Sequence, residues 1–274
     1  MSDHSSDKAF AGSIPALYQT HLVPMIFQPY ADDLAARLAA RLKPGAQILE
    51  IAAGTGVVTR AMASALPSTI SIVATDLNQD MLNQASTHGT SRPVVWRQAD
   101  AMALPFDAGT FDAVVCQFGV MFFPDKAAAY AEVRRVLKPG GVFMFNVWDR
   151  TEDNDFADIA TKTVEKVFPE NPPGFLKRTP YAYFDPAKIK LDLSNGGFTA
   201  VPEIITLTAR GRAESAQSAA VGYCQATPMR KEIEDRKTPS LEEVTGIMAE
   251  AVVQRFGHGS VDSKIQAVVV IVEV

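Results

Sequence analysis

The spacing of apolar residues changes along the chain from a helical period to an alternation of short strands and helices. Leu34, Leu38 and Leu42 recur at every fourth position, which predicts an amphipathic helix that ends at Pro44-Gly45. From residue 47 to Trp148, short apolar runs alternate with helical segments. Strands separated by helices of about ten residues form βαβ units, so this region predicts a parallel sheet with helices on both faces.

Five strands are predicted in this region. The first four are QILEIAA, SIVATD, VVWRQAD and FDAVVCQF. The helix 126–137 precedes the fifth strand, with Asp125 as its N-cap and Pro139-Gly140-Gly141 as its stop. The fifth strand is therefore predicted to begin at Val142.

The regular alternation loosens after Trp148. Residues 155–168 form an amphipathic pattern, and residues 169–186 form a long segment rich in proline and aromatic residues. Segments of that length usually act as lids or binding loops. We expect a helix from Pro186 to Gly196-Gly197, then strand six in FTAVPEIITLTAR, a mostly helical stretch over 214–257 and strand seven in IQAVVVIVEV.

Charge and cysteine content exclude several classes of protein. The chain has 26 Lys plus Arg and 31 Asp plus Glu, a net charge of −5, without the basic face that phosphate binding requires, so we expect no nucleic-acid partner. Cys116 and Cys224 lack metal-ligand spacing, and no metal site is predicted. The apolar run Ala267–Val272 is far below the roughly 18 residues of a membrane span. We expect a cytoplasmic protein with reduced thiols and no signal-like segment.

The first chemical signal is a glycine-containing turn at the end of the first strand. Glu50 begins the sequence EIAAGTG, and a helix is predicted directly after Gly56. Glycine at Gly54 and Gly56 lets a ligand approach the backbone, and the free N–H groups of the helix start attract an anionic group. Asp76 follows twenty residues beyond Gly56, at the end of the next strand, where a carboxylate can accept both hydroxyls of an adenine ribose.

The turn departs from the pattern that binds a dinucleotide. The third glycine of G-x-G-x-x-G packs the helix tightly beneath a pyrophosphate, and Thr59 stands at that position. Glu50 would also bring a negative charge close to a pyrophosphate. S-adenosylmethionine (SAM), which carries an ammonium and a sulfonium, fits the turn better than NAD.

The series of motifs resembles the class I SAM-dependent methyltransferases, most of all the small-molecule branch with the ubiquinone and menaquinone biosynthesis enzymes. The matching segments are LEIAAGTG, ATDLNQDML, RQADAMALPFDAGTFDAVVCQFGVMFF and EVRRVLKPGGVFMF, within residues 48–146. The resemblance implies a Rossmann-like α/β fold with seven strands in the order 3-2-1-4-5-7-6 and strand seven antiparallel. It covers the last 120 residues only loosely.

The resemblance also implies roles for individual residues. Gly54 and Gly56 would line the methionine end of SAM beside Glu50, and Asp76 would hold the ribose hydroxyls. The remaining implied contacts are an adenine sandwich by Leu77 and Met81, an adenine amino contact by Asp100, a backbone contact by Ala101 and a methionine contact by Gln117.

Simpler structural roles compete with these assignments. Met81 lies at helical spacing and could belong to the core alone, and Asp100 could cap a turn. Asp76 could cap the following helix, although Asn78 competes for that position. Cys116 lies within a strand and is expected to be a packed thiol, since the implied reaction needs no enzyme nucleophile.

Candidates for the acceptor side are weaker. His21 is the one histidine considered as a base, against a surface role. Neither an Asn-Pro-Pro-aromatic tetrapeptide nor a Pro-Cys nucleophile is present, which argues against methylation of nucleobases. Aromatic residues could line an apolar acceptor pocket or belong to the core. The candidates are Tyr18, Tyr30, Phe122, Phe175, Tyr181 and Tyr183.

The sequence thus predicts one methyltransferase domain, monomeric or homodimeric, that transfers a methyl group to a small molecule. Its expected parts are a flexible tail (1–12), N-terminal helices (13–43), a SAM-binding core (44–149) and a substrate-side elaboration with strands six and seven (150–274). A catalytically silent SAM-binding partner protein is the first alternative, and an NAD(P)-dependent oxidoreductase is the second.

Overall fold

The structure of the protein is a computed structural model, and it describes residues 12–274. The predicted flexible tail lies outside the described residues except for Gly12, and so does His4. Within the described part of the chain, no helix is both long enough and apolar enough to cross a membrane.

Seven strands form a single sheet in the order β3-β2-β1-β4-β5-β7-β6, as the sequence predicts. β1, β2, β3, β4 and β5 pair in parallel. β7 is antiparallel to β5, because Gly140 N donates to Val274 O while Asp149 N, further along, donates to the earlier residue Gln266. The strands are β1 (Gln47–Glu50), β2 (Ser71–Asp76), β3 (Val95–Gln98), β4 (Phe111–Gln117), β5 (Leu137–Trp148), β6 (Glu203–Ala213) and β7 (Val261–Glu273).

Two predicted strand starts differ from the structure for identifiable reasons. β5 begins at Leu137 and not at Val142, because Leu137 already pairs with Phe111 of β4 and the following residues form an irregularity within the strand. β6 begins only at Glu203. Pro202, which directly precedes it, has no N–H to donate to a ladder of hydrogen bonds.

Helices occupy the positions between the strands, and a π-helix (Tyr18–Phe27) joins the first two. Predicted caps are present, since Asp125 accepts a hydrogen bond from Ala128 N and Asn78 accepts from Asp80 N. The predicted loop 169–186 contains the short helix α7. The helices are α1 (Ile14–Leu17), α2 (Gln28–Ala39), α3 (Val57–Ala65), α4 (Gln79–His88), α5 (Lys126–Val136), α6 (Asp155–Val167), α7 (Phe175–Arg178), α8 (Pro186–Asn195), α9 (Ala216–Gln225), α10 (Met229–Glu234) and α11 (Leu241–Phe256).

The described chain divides into two compact units. The sheet unit contains Tyr30–Val147, Tyr183–Leu207 and Ala267–Val274, with β1 to β4 and most of β5. The helical unit contains the described residues up to Pro29, Trp148–Ala182 and Thr208–Gln266. The assignment of the whole chain to one domain remains a prediction.

Candidate functional site

The candidate site lies in the sheet unit, where β1, β2 and β4 end next to one another. β1 pairs with β2 and with β4, so Glu50 lies opposite Ala74 and Val115. Residues 50–56, which we call the glycine turn, leave the sheet at this edge and lead into α3. Crevices beyond the carboxyl ends of parallel strands are the usual ligand sites of open α/β sheets.

The glycine turn has a backbone that requires small residues. Gly54 and Gly56 have φ angles of 57° and 80°, in the left-handed region that favours glycine. A Cβ atom on Gly56 would lie 2.7 Å from Cη2 of Trp96 in β3, so a larger residue would collide there. Trp96 is therefore closely packed against the turn at Gly56. The first backbone N–H groups of α3 lie directly after the turn.

Asp76 connects the glycine turn to the start of α4. Its Oδ2 accepts a hydrogen bond from Gly54 N at 2.8 Å, and its Oδ1 accepts one from Asn78 N at 2.8 Å. Burial raises the pKa of the Asp76 carboxyl, while these backbone donors lower it. The backbone of Leu77 also lowers this pKa. Asn78, and not Asp76, caps α4. Asp76 therefore holds the turn in place, and a carboxylate, with about four lone-pair sites, can in addition accept from a ligand hydroxyl.

Glu50 ends β1 and begins the glycine turn. Its side chain is 1% exposed, and its Oε2 accepts a hydrogen bond from Thr59 Oγ1 at 2.5 Å. Burial raises the pKa of Glu50 to about 8, and Thr59 and Arg60 lower it only in part. Glu50 is therefore protonated at neutral pH in this arrangement. Its predicted contact with a cofactor remains a prediction.

The candidate adenine residues differ in exposure. Leu77 is 50% exposed, whereas Met81 is 5% exposed and lies near Gly54. Asp100 Oδ1 accepts a hydrogen bond from Met102 N at 2.9 Å, so Asp100 does cap a turn. Its Oδ2 accepts no hydrogen bond from the described residues. Ala101, beside it, is partly exposed.

Gln117 ends β4 and is almost completely buried. Sequence reasoning placed it at the site but missed its neighbour Asn146, whose Nδ2 donates to Gln117 Oε1 at 3.5 Å. It also did not predict the backbone of Phe118, which has a left-handed φ of 49°. The one signal for Asn146 in the sequence is an amide within the apolar run VFMFNVW.

Most acceptor candidates are core residues, which favours the packing alternative for them. Tyr30, Phe175, Tyr181 and Tyr183 are buried, and Tyr18 and Phe122 are partly exposed. In the sheet unit, Tyr183 Oη donates to Asp192 Oδ2 at 2.9 Å and Tyr30 Oη donates to Leu207 O at 3.3 Å. In the helical unit, Tyr181 stacks on Trp148, and its hydroxyl lies 3.3 Å from that of Tyr223.

His21 belongs to the helical unit. Its Nδ1 lies 2.9 Å from Ser218 Oγ of α9, and its ring is partly exposed. Cys116 is fully buried, and burial raises the pKa of its thiol, which argues for a packed thiol. Among residues 12–274, no group of His, Cys, Asp and Glu side chains is arranged to hold a metal ion.

The edge of the sheet fits SAM on several observations. The hydroxyl of Thr55, within the glycine turn, is buried and has no hydrogen-bond partner among the described residues, so a ligand group could satisfy it. The N–H groups at the start of α3 suit a carboxylate, and the lone pairs of Asp76 suit ribose hydroxyls. Leu77 offers apolar surface to a ring.

Comparison with protein families gives a match over the sheet unit. Residues 49–145 match the family model described as a methyltransferase domain. The ubiquinone/menaquinone biosynthesis C-methyltransferase UbiE of Burkholderia vietnamiensis is 41% identical over 116 residues, which are 40% of this chain and 48% of that protein. UbiE of Saccharophagus degradans is 39% identical over 104 residues, 36% of this chain and 42% of that protein. The chain thus spans about half the length of these relatives.

Solved structures share the fold. The phosphoethanolamine N-methyltransferase 2 of Haemonchus contortus, solved with S-adenosyl-L-methionine, matches with a TM-score of 0.60 and 16% identity over 98% of this chain and 59% of that chain. YcgJ of Bacillus subtilis matches with a TM-score of 0.56 and 18% identity over 89% of this chain and 98% of that chain. At this level of identity the similarity establishes the architecture of the sheet.

Proposed function

We propose that this chain, which belongs to the class I SAM-dependent methyltransferases, transfers a methyl group from SAM to a small-molecule acceptor and releases S-adenosylhomocysteine. The observation that carries the proposal is the bond between Asp76 and the glycine turn. Asp76 ends β2, and its carboxylate accepts a hydrogen bond from Gly54 N, so it links the end of this strand to the glycine turn. A ribose at Asp76 would therefore place the methionine end of SAM along Gly54 and Gly56.

SAM supplies a sulfonium leaving group, so the reaction is a direct in-line displacement of S-adenosylhomocysteine by the acceptor nucleophile. The protein's residues have the tasks of binding, alignment and exclusion of water. The start of α3 would bind the methionine carboxylate, and Asp100 Oδ2 would accept from the adenine amino group. Leu77 would cover one face of the adenine ring.

The hydrogen bond between Glu50 and Thr59 argues against a dinucleotide. A glycine at residue 59 would let α3 pack closely on the strand, as the dinucleotide pattern requires, whereas the Thr59 side chain here is buried at that position and donates to Glu50. The SAM interpretation needs neither a third glycine nor the removal of this carboxyl group.

A small molecule is the acceptor class that the chain supports best. The net charge of −5 provides no basic face for a nucleic acid. The family match ends at residue 145, before the segments in which an acceptor site would be expected. The acceptor implied by the names of the UbiE relatives is therefore not carried over to this chain.

Transfer of labelled methyl groups into a fractionated cell extract tests the proposal. Wild-type protein with methyl-labelled SAM should label a low-molecular-mass fraction, and Asp76→Ala should label about a hundredfold less at limiting SAM, in line with the loss of about 3 kcal/mol of binding. Binding of S-adenosylhomocysteine without any labelled product would instead support a silent SAM-binding protein. Label in nucleic acid would contradict the acceptor class.

A further inference from the structure

Asn146 is a polar residue in the middle of the sheet unit. It lies in the apolar strand β5, directly opposite Gln117 of β4, and its side chain is 0% exposed. A buried amide is costly unless its donor and acceptor groups are satisfied, so a residue of this kind usually has a specific task. None of the contacts of SAM proposed above involves it.

Asn146 holds the backbone of Phe118. The N–H of Phe118 donates to the backbone oxygen of Asn146 at 3.1 Å and to its side-chain Oδ1 at 3.0 Å. Phe118 has a φ of 49°, a strained conformation that an aromatic residue rarely adopts. Two acceptors from one residue, together with an edge contact between the rings of Phe118 and Tyr30, keep the strained backbone in place.

Phe118 is followed by Gly119, which lies directly against the glycine turn. Gly119 follows Phe118, and a Cβ atom on Gly119 would lie 2.5 Å from Cβ of Ala52 and 2.7 Å from Sγ of Cys116. Ala52, within the glycine turn, also has a left-handed φ of 53°. The segment 117–119 therefore supports the glycine turn from the side of β4, at a distance that only glycine permits.

We propose that Asn146 is a positioning residue for the cofactor site: by fixing Phe118 in its left-handed conformation, it sets Gly119 against Ala52 and so holds the glycine turn in its binding shape. The inference rests on the proposed function, because it concerns the methionine end of the same site. It also accounts for the orientation of Gln117, whose Oε1 receives the Nδ2 donor of Asn146.

The first test measures S-adenosylhomocysteine binding by calorimetric titration in Asn146→Leu. The Kd should rise at least about tenfold. Asn154→Leu is the matched control, because Asn154 is also fully buried, and its amide bonds to the backbone of Asp149, Arg150 and Gln266 in the helical unit. Asn154→Leu should lower the melting temperature yet keep the wild-type Kd.

The second test leaves Asn146 intact and changes only the backbone preference of residue 118. Phe118→Gly and Phe118→Val both remove the ring that contacts Tyr30, but glycine accepts a φ of 49° freely and valine does not. The Phe118→Val variant should bind S-adenosylhomocysteine about tenfold more weakly than the Phe118→Gly variant. When Asn146→Leu is added to Phe118→Gly, the Kd for S-adenosylhomocysteine should rise less than threefold, because glycine adopts this conformation without support.

Two results would overturn the inference. One is equal Kd values for Phe118→Gly and Phe118→Val, and the other is a wild-type Kd for a folded Asn146→Leu. Failure of the proposed function looks different: without a SAM site the wild-type protein itself would not bind S-adenosylhomocysteine, and without methyl transfer it would bind this ligand but label no product. The Phe118 pair keeps the test decisive if Asn146→Leu does not fold.

Discussion

The polar residues at the strand ends of the sheet unit and the aromatic candidates of the helical unit make different kinds of contact. In the sheet unit, side chains bond to backbone N–H groups at the ends of strands, as Asp76 does with Gly54 and Asn146 with Phe118. In the helical unit, aromatic side chains pack among themselves, as Tyr181 does with Trp148. The first arrangement fixes the shape of a turn that a ligand can approach, and the second fills a core.

This difference explains why the structure brings the predicted residues of the glycine turn together with Asp76, whereas most of the aromatic acceptor candidates are core residues. Bonds from a side chain to a turn require particular residues at particular positions, and such residues leave a motif in the sequence. Packing among aromatic residues requires only apolar volume, which many residue types can provide. A pattern of aromatic residues therefore does not distinguish an acceptor pocket from a core.

Removal of an aromatic candidate should give the largest effect, and on stability. Phe175→Ala in the helical unit removes a side chain that is almost completely buried, so it should cost about 3 to 5 kcal/mol of unfolding free energy. The Kd for S-adenosylhomocysteine, measured on the folded variant, should be unchanged. If Phe175→Ala kept wild-type stability but lost methyl transfer, Phe175 would line the acceptor pocket, and its assignment to the core would be wrong.

Asp76→Ala should act mainly on binding. Loss of two charge-assisted hydrogen bonds to the ribose should weaken S-adenosylhomocysteine binding by about 3 kcal/mol, roughly a hundredfold in Kd by calorimetric titration. A smaller loss of stability should accompany it, because Gly54 N and Asn78 N lose their acceptor. Asp80→Ala, an exposed carboxylate on α4, is the control and should change neither quantity. Unchanged affinity in Asp76→Ala would remove the ribose assignment.

The buried carboxyl of Glu50 predicts a pH dependence in the sheet unit. The folded protein keeps the Glu50 proton up to about pH 8, whereas the unfolded chain loses it near pH 4.5. Its contribution to stability is therefore complete below pH 4.5 and is lost as the pH rises to about 8, with a slope of up to about 1.4 kcal/mol per pH unit. Urea unfolding of wild type and Glu50→Gln between pH 5 and about pH 8 should show a steeper fall for the wild type. Parallel curves would contradict the protonated state.

The helical unit offers a smaller test of mobility in the segment 169–182. Glu232 of α10 accepts hydrogen bonds from Gly174 N at 2.7 Å and Phe175 N at 3.2 Å, and it pairs with Arg178. These bonds hold the segment 169–182 against α10, and the composition of this segment is typical of a lid. Glu232→Gln should raise the rate of limited proteolysis there roughly tenfold, a loss of about 1.4 kcal/mol of local stability. Glu234→Gln, which removes an exposed pair with Arg230, is the control and should be cleaved at the wild-type rate.

The sequence predicted the alternation of strands and helices and the position of the glycine turn, because period, glycine placement and the spacing to Asp76 are local features. The order of the strands followed from the family resemblance and not from these features. The sequence could not predict the bond from Gly54 N to Asp76, since this bond joins residues 22 positions apart only after β1 and β2 have paired. The strained φ of Phe118 was likewise invisible, because nothing in the residue type predicts a left-handed aromatic residue. The burial of Tyr181 and Phe175 depends on packing within the helical unit, and residue type alone does not determine it.

The most direct test of the central claim is a comparison of thermal melting with two ligands. S-adenosylhomocysteine at a hundredfold excess over its Kd should stabilise the native state by about 2.7 kcal/mol and raise the melting temperature by several degrees. NADH at the same concentration should leave it unchanged, because Thr59 stands where the dinucleotide pattern has its third glycine. A clear shift with NADH and none with millimolar S-adenosylhomocysteine would contradict the assignment of the glycine turn and Asp76 to SAM.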